Sequence, residues 1–146
     1  IQEYRVEELE FEFIEEEQRI YIHIPSDADM RPSQVQDTFK AFHAFLKKYY
    51  PKWLKAEWYC DSWMLSPVLD QLLDENSNVL QFNHLFQIES VDYDSLGALD
   101  WVFPGKRVPL ADLQENTSLQ KRMKKYLLGG GKVGWAKGKM KQRCLD

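Results

Sequence analysis

IYIHIPSDADMRPSQ, residues 20–34, carries an alternating strand through a short polar loop into the proline-marked start of a long amphipathic helix. Ile20, Ile22 and Ile24 alternate with Tyr21 and His23, the period of two expected of a strand, and Pro25 ends the run. Pro32 has the fixed φ that suits a first helical turn. Val35, Phe39, Phe42, Leu46 and Tyr49 follow at spacings of four, three, four and three, which predicts a helix over 32–50 that stops before Pro51. A strand that ends at a helix N-terminus aims unpaired backbone N–H groups and a partial positive charge at one spot, which suits a phosphate or carboxylate. Arg31, Ser33 and Gln34 flank that spot as candidate anion-binding residues, with capping and solvation as the simpler alternative.

Upstream, Leu9, Phe11 and Phe13 alternate with Glu8, Glu10 and Glu12, and 15–18 makes a turn, so a hairpin with the isoleucine strand is expected. Downstream, 55–64 reads as an aromatic-rich strand, and Ser66-Pro67 opens a short helix with Val68, Leu69, Leu72 and Leu73 on its apolar face. Leu80, Phe82, His84, Phe86 and Ile88 alternate with polar neighbours and predict one long strand after the Asn76-Ser77-Asn78 turn. Asp94 or Ser95 caps a short helix through Phe103, Thr117-Ser118 starts another that stops at Gly129, and 133–140 adds a last strand. Strands separated by helices, with hairpins at the ends, point to an α/β (α+β) layer structure around a mixed sheet.

The 146 residues fit one domain, and 44% hydrophobic with 14% aromatic residues is the composition of a packed globule. A net charge of −4 argues against a general nucleic-acid binder. Charge is segregated: residues 3–17 carry eight glutamates against Arg5 alone, while 121–143 carry nine Lys and Arg and no acid. Two solvated faces that attract each other, or a basic ligand-binding tail, would each account for that. No run is long enough to span a membrane, and Cys60 and Cys144 show no repeated spacing, so a reducing, cytoplasmic setting is the expectation. The first residue is Ile1 rather than methionine, which suggests a fragment of a longer chain. The histidines and cysteines lack metal-ligand spacing, so no metal site is expected. The glycines at 129–131 and 134 miss the phosphate-loop spacing and read as a helix C-cap with a flexible connection.

IHIP at 22–25, Pro32 after the polar loop, CDSWMLSP at 60–67, SNVLQFNHLF at 77–86 and TSLQ at 117–120 together resemble the C-terminal domain of a bacterial family of acyltransferases. That domain is described as GNAT-like, after the GNAT superfamily of N-acyltransferases, and the resemblance covers most of the chain. It implies a mixed, mostly antiparallel sheet flanked by helices, a separate N-terminal partner domain, and acyl-CoA or acetyl-CoA as co-substrate. By the same resemblance the thioester lies where strand 19–25 and strand 55–64 splay apart. The pyrophosphate then sits on the helix N-terminus, near Ile24, Arg31, Ser33 and Gln34, and a small-molecule amine is the acceptor.

His23, on the strand face opposite the isoleucines, is a candidate general base, or a surface or hydrogen-bonded structural histidine. Cys60 and Ser62 stand where the acyl group would rest. Either is a candidate nucleophile or donor to the leaving thiolate, against a buried packing cysteine and a strand-ending serine. The superfamily's pyrophosphate loop, Gln/Arg-x-x-Gly-x-Gly/Ala, has no counterpart: SDADMR at 26–31 contains no glycine, and Asp27 and Asp29 repel a pyrophosphate unless Arg31 offsets them. That departure keeps a second reading open, a module that has lost CoA binding and serves its N-terminal partner as scaffold or recognition domain. A small-metabolite sensor is a third.

Overall fold

The structure, a computed structural model, describes residues 2–141. Its six strands are β1 (Gln2–Val6), β2 (Leu9–Ile14), β3 (Arg19–His23), β4 (Glu57–Ser62), β5 (Phe86–Asp92) and β6 (Trp135–Met140). Its helices are α1 (Pro32–Tyr49), α2 (Leu69–Leu72), α3 (Asn78–Asn83), α4 (Gly97–Val102) and α5 (Ser118–Leu128). One sheet runs β1-β2-β3-β4-β6-β5, with β3 and β4 parallel and every other neighbouring pair antiparallel. The expected mixed, mostly antiparallel sheet is therefore present.

The parallel pair follows from the opening motif, since a parallel strand needs a crossover and α1 supplies it. α1 buries Val35, Phe39, Phe42 and Leu46. On the sheet, Leu9, Phe11, Phe13, Ile20, Ile22, Trp58 and Cys60 meet that stripe as one core. Phe11 stacks on Phe42 at 3.7 Å between centroids, and Trp58 crosses Phe42 at 5.3 Å. Strand alternation sends Glu10, Glu12, Tyr21, His23, Tyr59, Asp61, Lys137 and Lys139 to the other face. There Tyr21 and Tyr59 stack at 5.6 Å, and the Arg19 guanidinium lies 4.2 Å over the Tyr59 ring. Burial raises the Tyr59 hydroxyl above its ordinary range.

Residues 80–88 depart from the expected strand. Ser77 accepts a hydrogen bond from the Leu80 N–H and starts α3, and β5 begins only at Phe86. Alternation of Leu80 and Phe82 cannot by itself separate a strand from a short helix, and here the N-cap decides. His84 then lies outside the sheet, with its ring nitrogen 2.7 Å from Asp70. Gln2–Val6 forms an edge strand that the alternation at 9–13 did not announce; Tyr4 reaches across to α1, where its hydroxyl hydrogen-bonds that of Tyr50.

The capping argument holds at α5, while at α4 the N-cap residue is Leu96, one past the expected Asp94 or Ser95, and makes no side-chain cap bond. Thr117 and Gln120 form a reciprocal capping box at α5, and Ser95 accepts from the Gly97 N–H just before α4. After α5 the N–H groups of Gly129, Gly130 and Gly131 are spent on the carbonyls of Lys125, Leu127 and Tyr126, and Gly130 holds φ at +92°. These glycines close a helix and reverse the chain. The C-terminal cations find partners in the middle of the chain: Arg122 with Asp74, Lys124 with Glu115, Lys132 with Asp94.

Two measurements check this packing. Phe42→Ala is expected to cost about 3–5 kcal/mol of unfolding free energy by chemical denaturation, since it removes a fully buried ring from four aromatic neighbours; a loss under about 1 kcal/mol would contradict the core assignment. In a Cys144→Ser background, Cys60 is expected to stay unmodified by DTNB in the native protein and to react once denaturant is added. Rapid native reaction would show that its thiol is not enclosed.

Candidate functional site at the parting of two parallel strands

β3 and β4 stay in register from Arg19 and Glu57 to Ile22 and Cys60, and there the pairing ends. β3 stops one residue later, and Pro25, which has no N–H, starts a turn closed by the Ala28 N–H on its carbonyl. β4 instead continues two residues along β6, where Asp61 faces Lys137 and Ser62 faces Ala136. It then folds into a single 3-10 turn over Trp63–Leu65. The buried Asn83 amide donates to the carbonyls of Met64 (2.8 Å) and Ser66 (3.0 Å), and the Ser66 hydroxyl donates to Val133 at 2.6 Å. Past Cys60 the backbone groups of both segments thus find partners outside the β3–β4 ladder.

A cavity of about 200 Å³ occupies the gap. Ile22, His23 and Ile24 line it from β3, Asp61, Ser62, Trp63 and Met64 from β4, and Trp101 and Trp135 complete it. Larger apolar cavities of about 370 and 240 Å³ lie around the 93–114 loops. The histidine and the serine singled out in the sequence are at the smaller one.

The named residues divide between three places. His23 is 43% exposed in its side chain, with Nε2 2.8 Å from a carboxylate oxygen of Glu12. Ser62 is buried, and its hydroxyl oxygen accepts from the Met64 N–H at 3.1 Å. Ile24 lines the same gap. Cys60 shares the core-facing side of β4 with Ser62 but sits deeper: it is fully buried, burial pushes its thiol far up, and it does not line the cavity. A thiol kept protonated and enclosed is a poor nucleophile, so the geometry separates Cys60 from the chemistry that the sequence allowed it.

Arg31, Ser33 and Gln34 gather at the start of α1. Arg31 is the N-cap residue and makes no side-chain cap bond, and the first turn carries no acid. The positive end of an 18-residue helix is therefore left facing outward. Arg31 itself is engaged. Its guanidinium grips Asp29 with Nη2 2.6 Å and Nε 3.0 Å from the carboxylate, and this hydrogen bond holds the Asp29 carboxyl below its ordinary value of 3.8. A depressed carboxyl contributes its stabilisation above that ordinary value and loses it as the pH falls through the lowered one, so the fork is closed at neutral pH. The loop is also tied to the first hairpin, through Arg5 to Asp27 at 2.9 Å and through the Asp29 N–H to the Glu8 carboxylate at 2.8 Å. Beside it, Met30, Pro32, Val35 and Gln36 face Asn78, Gln81, Phe82 and Leu85 of the α3 region across a groove of about 120 Å³.

Sequence reasoning missed Trp101, Trp135 and Glu12. The two tryptophans come from segments far along the chain, and nothing local marks them. Glu12 was visible only as one acid among eight, because its contact with His23 depends on the β2–β3 register. Among the described residues no group of three His, Cys, Asp or Glu side chains is placed to hold a metal, and no helix is long and apolar enough to cross a membrane.

The same fold occurs in solved structures of acyltransferases. The chain superposes on an acyltransferase in complex with decanoyl-CoA with a TM-score of 0.83, at 23% identity over 94% of this chain and 45% of that one. An acyltransferase in complex with decanoyl-CoA and teicoplanin gives 0.81 at 22% identity, over 94% and 46%. One in complex with CoA and 10C-teicoplanin gives 0.81 at 21%, over 94% and 46%. The chain thus spans less than half the length of these proteins. No curated protein sequence matches it. The family model described as the GNAT-like C-terminal domain matches residues 2–140, and the chain belongs to that family.

Proposed function

We propose that this domain transfers an acyl group from acyl-CoA to an amine on a small-molecule acceptor, with the thioester lying where β3 and β4 part. The observation that carries the reading is the end of the parallel ladder at Ile22 and Cys60, with a cavity behind it bordered by a histidine and a serine. Similar structures hold CoA or decanoyl-CoA, which supports the same co-substrate here. His23 accepts the proton of the attacking amine. Ser62, whose oxygen already accepts from Met64, keeps its own proton to offer the departing thiolate. Ile24 borders the thioester, while the Ser33 N–H and the side chains of Ser33, Gln34 and Arg31 at the start of α1 face the diphosphate; the Gln34 and Val35 N–H groups already donate to the Arg31 carbonyl. Cys60 has no part in the reaction. An N-terminal domain of the same protein and a cytoplasmic setting belong to this reading.

The Asp29–Arg31 fork favours a second reading, a module without CoA binding that serves a partner domain. It ties up Arg31 beside the α1 N-terminus in a loop that has no glycine to let a phosphate approach.

Calorimetric titration with decanoyl-CoA and acetyl-CoA decides between the two. Binding is expected for the wild type, and Asp29→Asn is expected to tighten it by about threefold to tenfold by releasing Arg31 to a charge-assisted contact. Heat from neither protein would sink the acyltransferase reading and leave the scaffold reading standing. With benzylamine as acceptor, His23→Ala is expected to lower the release of CoA from decanoyl-CoA by about 10²–10⁴ while leaving decanoyl-CoA binding unchanged.

A further inference from the structure

β2 and β3 are antiparallel, and the direct partner of His23 is Glu10, not Glu12. Glu12 stands two residues along, opposite Tyr21, on the same face of the sheet. Diagonal neighbours of this kind lie within reach of long side chains. Glu12 closes that distance to 2.8 Å on Nε2, and its side chain is 23% exposed. The strand order β2-β3-β4 gives the contact a direction: Glu12 comes to the ring from the β2 side, and the cavity opens on the β4 side. A carboxylate only accepts hydrogen bonds, so a neutral imidazole meeting one at Nε2 carries its proton there and its lone pair on Nδ1.

We propose that Glu12 is a positioning residue for His23: it fixes the tautomer and the ring, and so leaves Nδ1 to take the proton of the acceptor amine. The inference rests on the acyl-transfer reading above. In the step it serves, the amine nitrogen attacks the thioester carbonyl carbon, the C–N bond forms and the C–S bond breaks. One N–H proton passes to Nδ1 of His23; the CoA sulfur leaves as a thiolate and takes the Ser62 proton, and the His23 imidazolium then gives up its proton to restore the Ser62 hydroxyl, directly or through solvent. The products are the amide and free CoA. The Glu12 carboxylate stabilises the imidazolium that exists between those two proton transfers, as carboxylates do for catalytic histidines.

The test joins a spectroscopic and a kinetic measurement. In long-range ¹⁵N–¹H correlation spectra of the wild type, the neutral ring of His23 is expected as the Nε2–H tautomer. Glu12→Gln keeps the shape but can either donate or accept, so a mixture of tautomers is expected. With decanoyl-CoA and benzylamine, Glu12→Gln is expected to lower kcat about tenfold to hundredfold and to leave KM for decanoyl-CoA within about twofold. Glu10→Gln, which removes the same charge two residues away on the same face, is expected to behave as wild type in both measurements. An Nδ1–H ring in the wild type, an unchanged kcat in Glu12→Gln, or an equal loss in Glu10→Gln would each overturn the proposal. If the wild type releases no CoA, the acyl-transfer reading fails and the proton-transfer role goes with it. The spectra then still report whether Glu12 fixes the ring.

Discussion

The parallel pairing of β3 with β4 can extend only as far as both chains supply ladder partners, and everything placed at the candidate site depends on where that supply stops. Pro25 cannot donate a ladder hydrogen bond, and the chain leaves the sheet there to begin α1 seven residues later. β4 is carried further by its other neighbour, β6. The gap is thus the consequence of two strands of unequal length, one ended by its own sequence and one extended by a later strand. Asn83 and Ser66, buried and satisfied, keep the far wall from collapsing into it. Removing the Asn83 amide would take the donor from the buried Met64 carbonyl, a cost of about 1–3 kcal/mol, while the Ser66 carbonyl keeps the Leu69 N–H; the loss falls in the wall rather than in the chemistry.

How far the sequence could be read followed the range of the forces involved. Period-two runs at 9–13 and 20–24, the stripe from Val35 to Tyr49 and the Thr117–Gln120 box were all readable, because each is local and each has its own stop signal. The stretch at 80–88 was misread because Leu80, Phe82 and Phe86 satisfy two periods at once, and only the Ser77 cap separates them. The edge strand at 2–6 owes its place to the register with β2. At the site, His23 and Ser62 came from the strand ends that the family resemblance marks. The inward turn of Cys60 follows from strand parity, since Cys60 pairs with Ile22 and Ile22 faces the core. Trp101 and Trp135 required the full topology.

Charge segregation along the chain takes a different form in space. The charged residues of the first hairpin do local work: Glu8 holds the loop through the Asp29 N–H, Glu12 meets His23, and Arg5 holds Asp27. Acidic β2 and basic β6 are separated by two strands, and the stacked pair Tyr21 and Tyr59 lies between them. The open face therefore grades from acid to base across an aromatic centre, and the strand gap opens at one end of that gradient. An incoming ammonium group and an incoming polyphosphate would be drawn toward different parts of the molecule.

The place of β6 has a consequence for the birth of the protein. The last strand among the described residues is an inner strand of the sheet, inserted between β4 and β5, and Gly138 lies so close to β5 that a Cβ there would meet the Gln87 carbonyl at 2.9 Å. During synthesis the chain emerges from its N-terminus. β1 to β4 can pair as they appear, but β5 has no sheet to join until 135–140 have left the ribosome. Until then β4 and β5 present two bare edges, the kind of surface that invites wrong pairing.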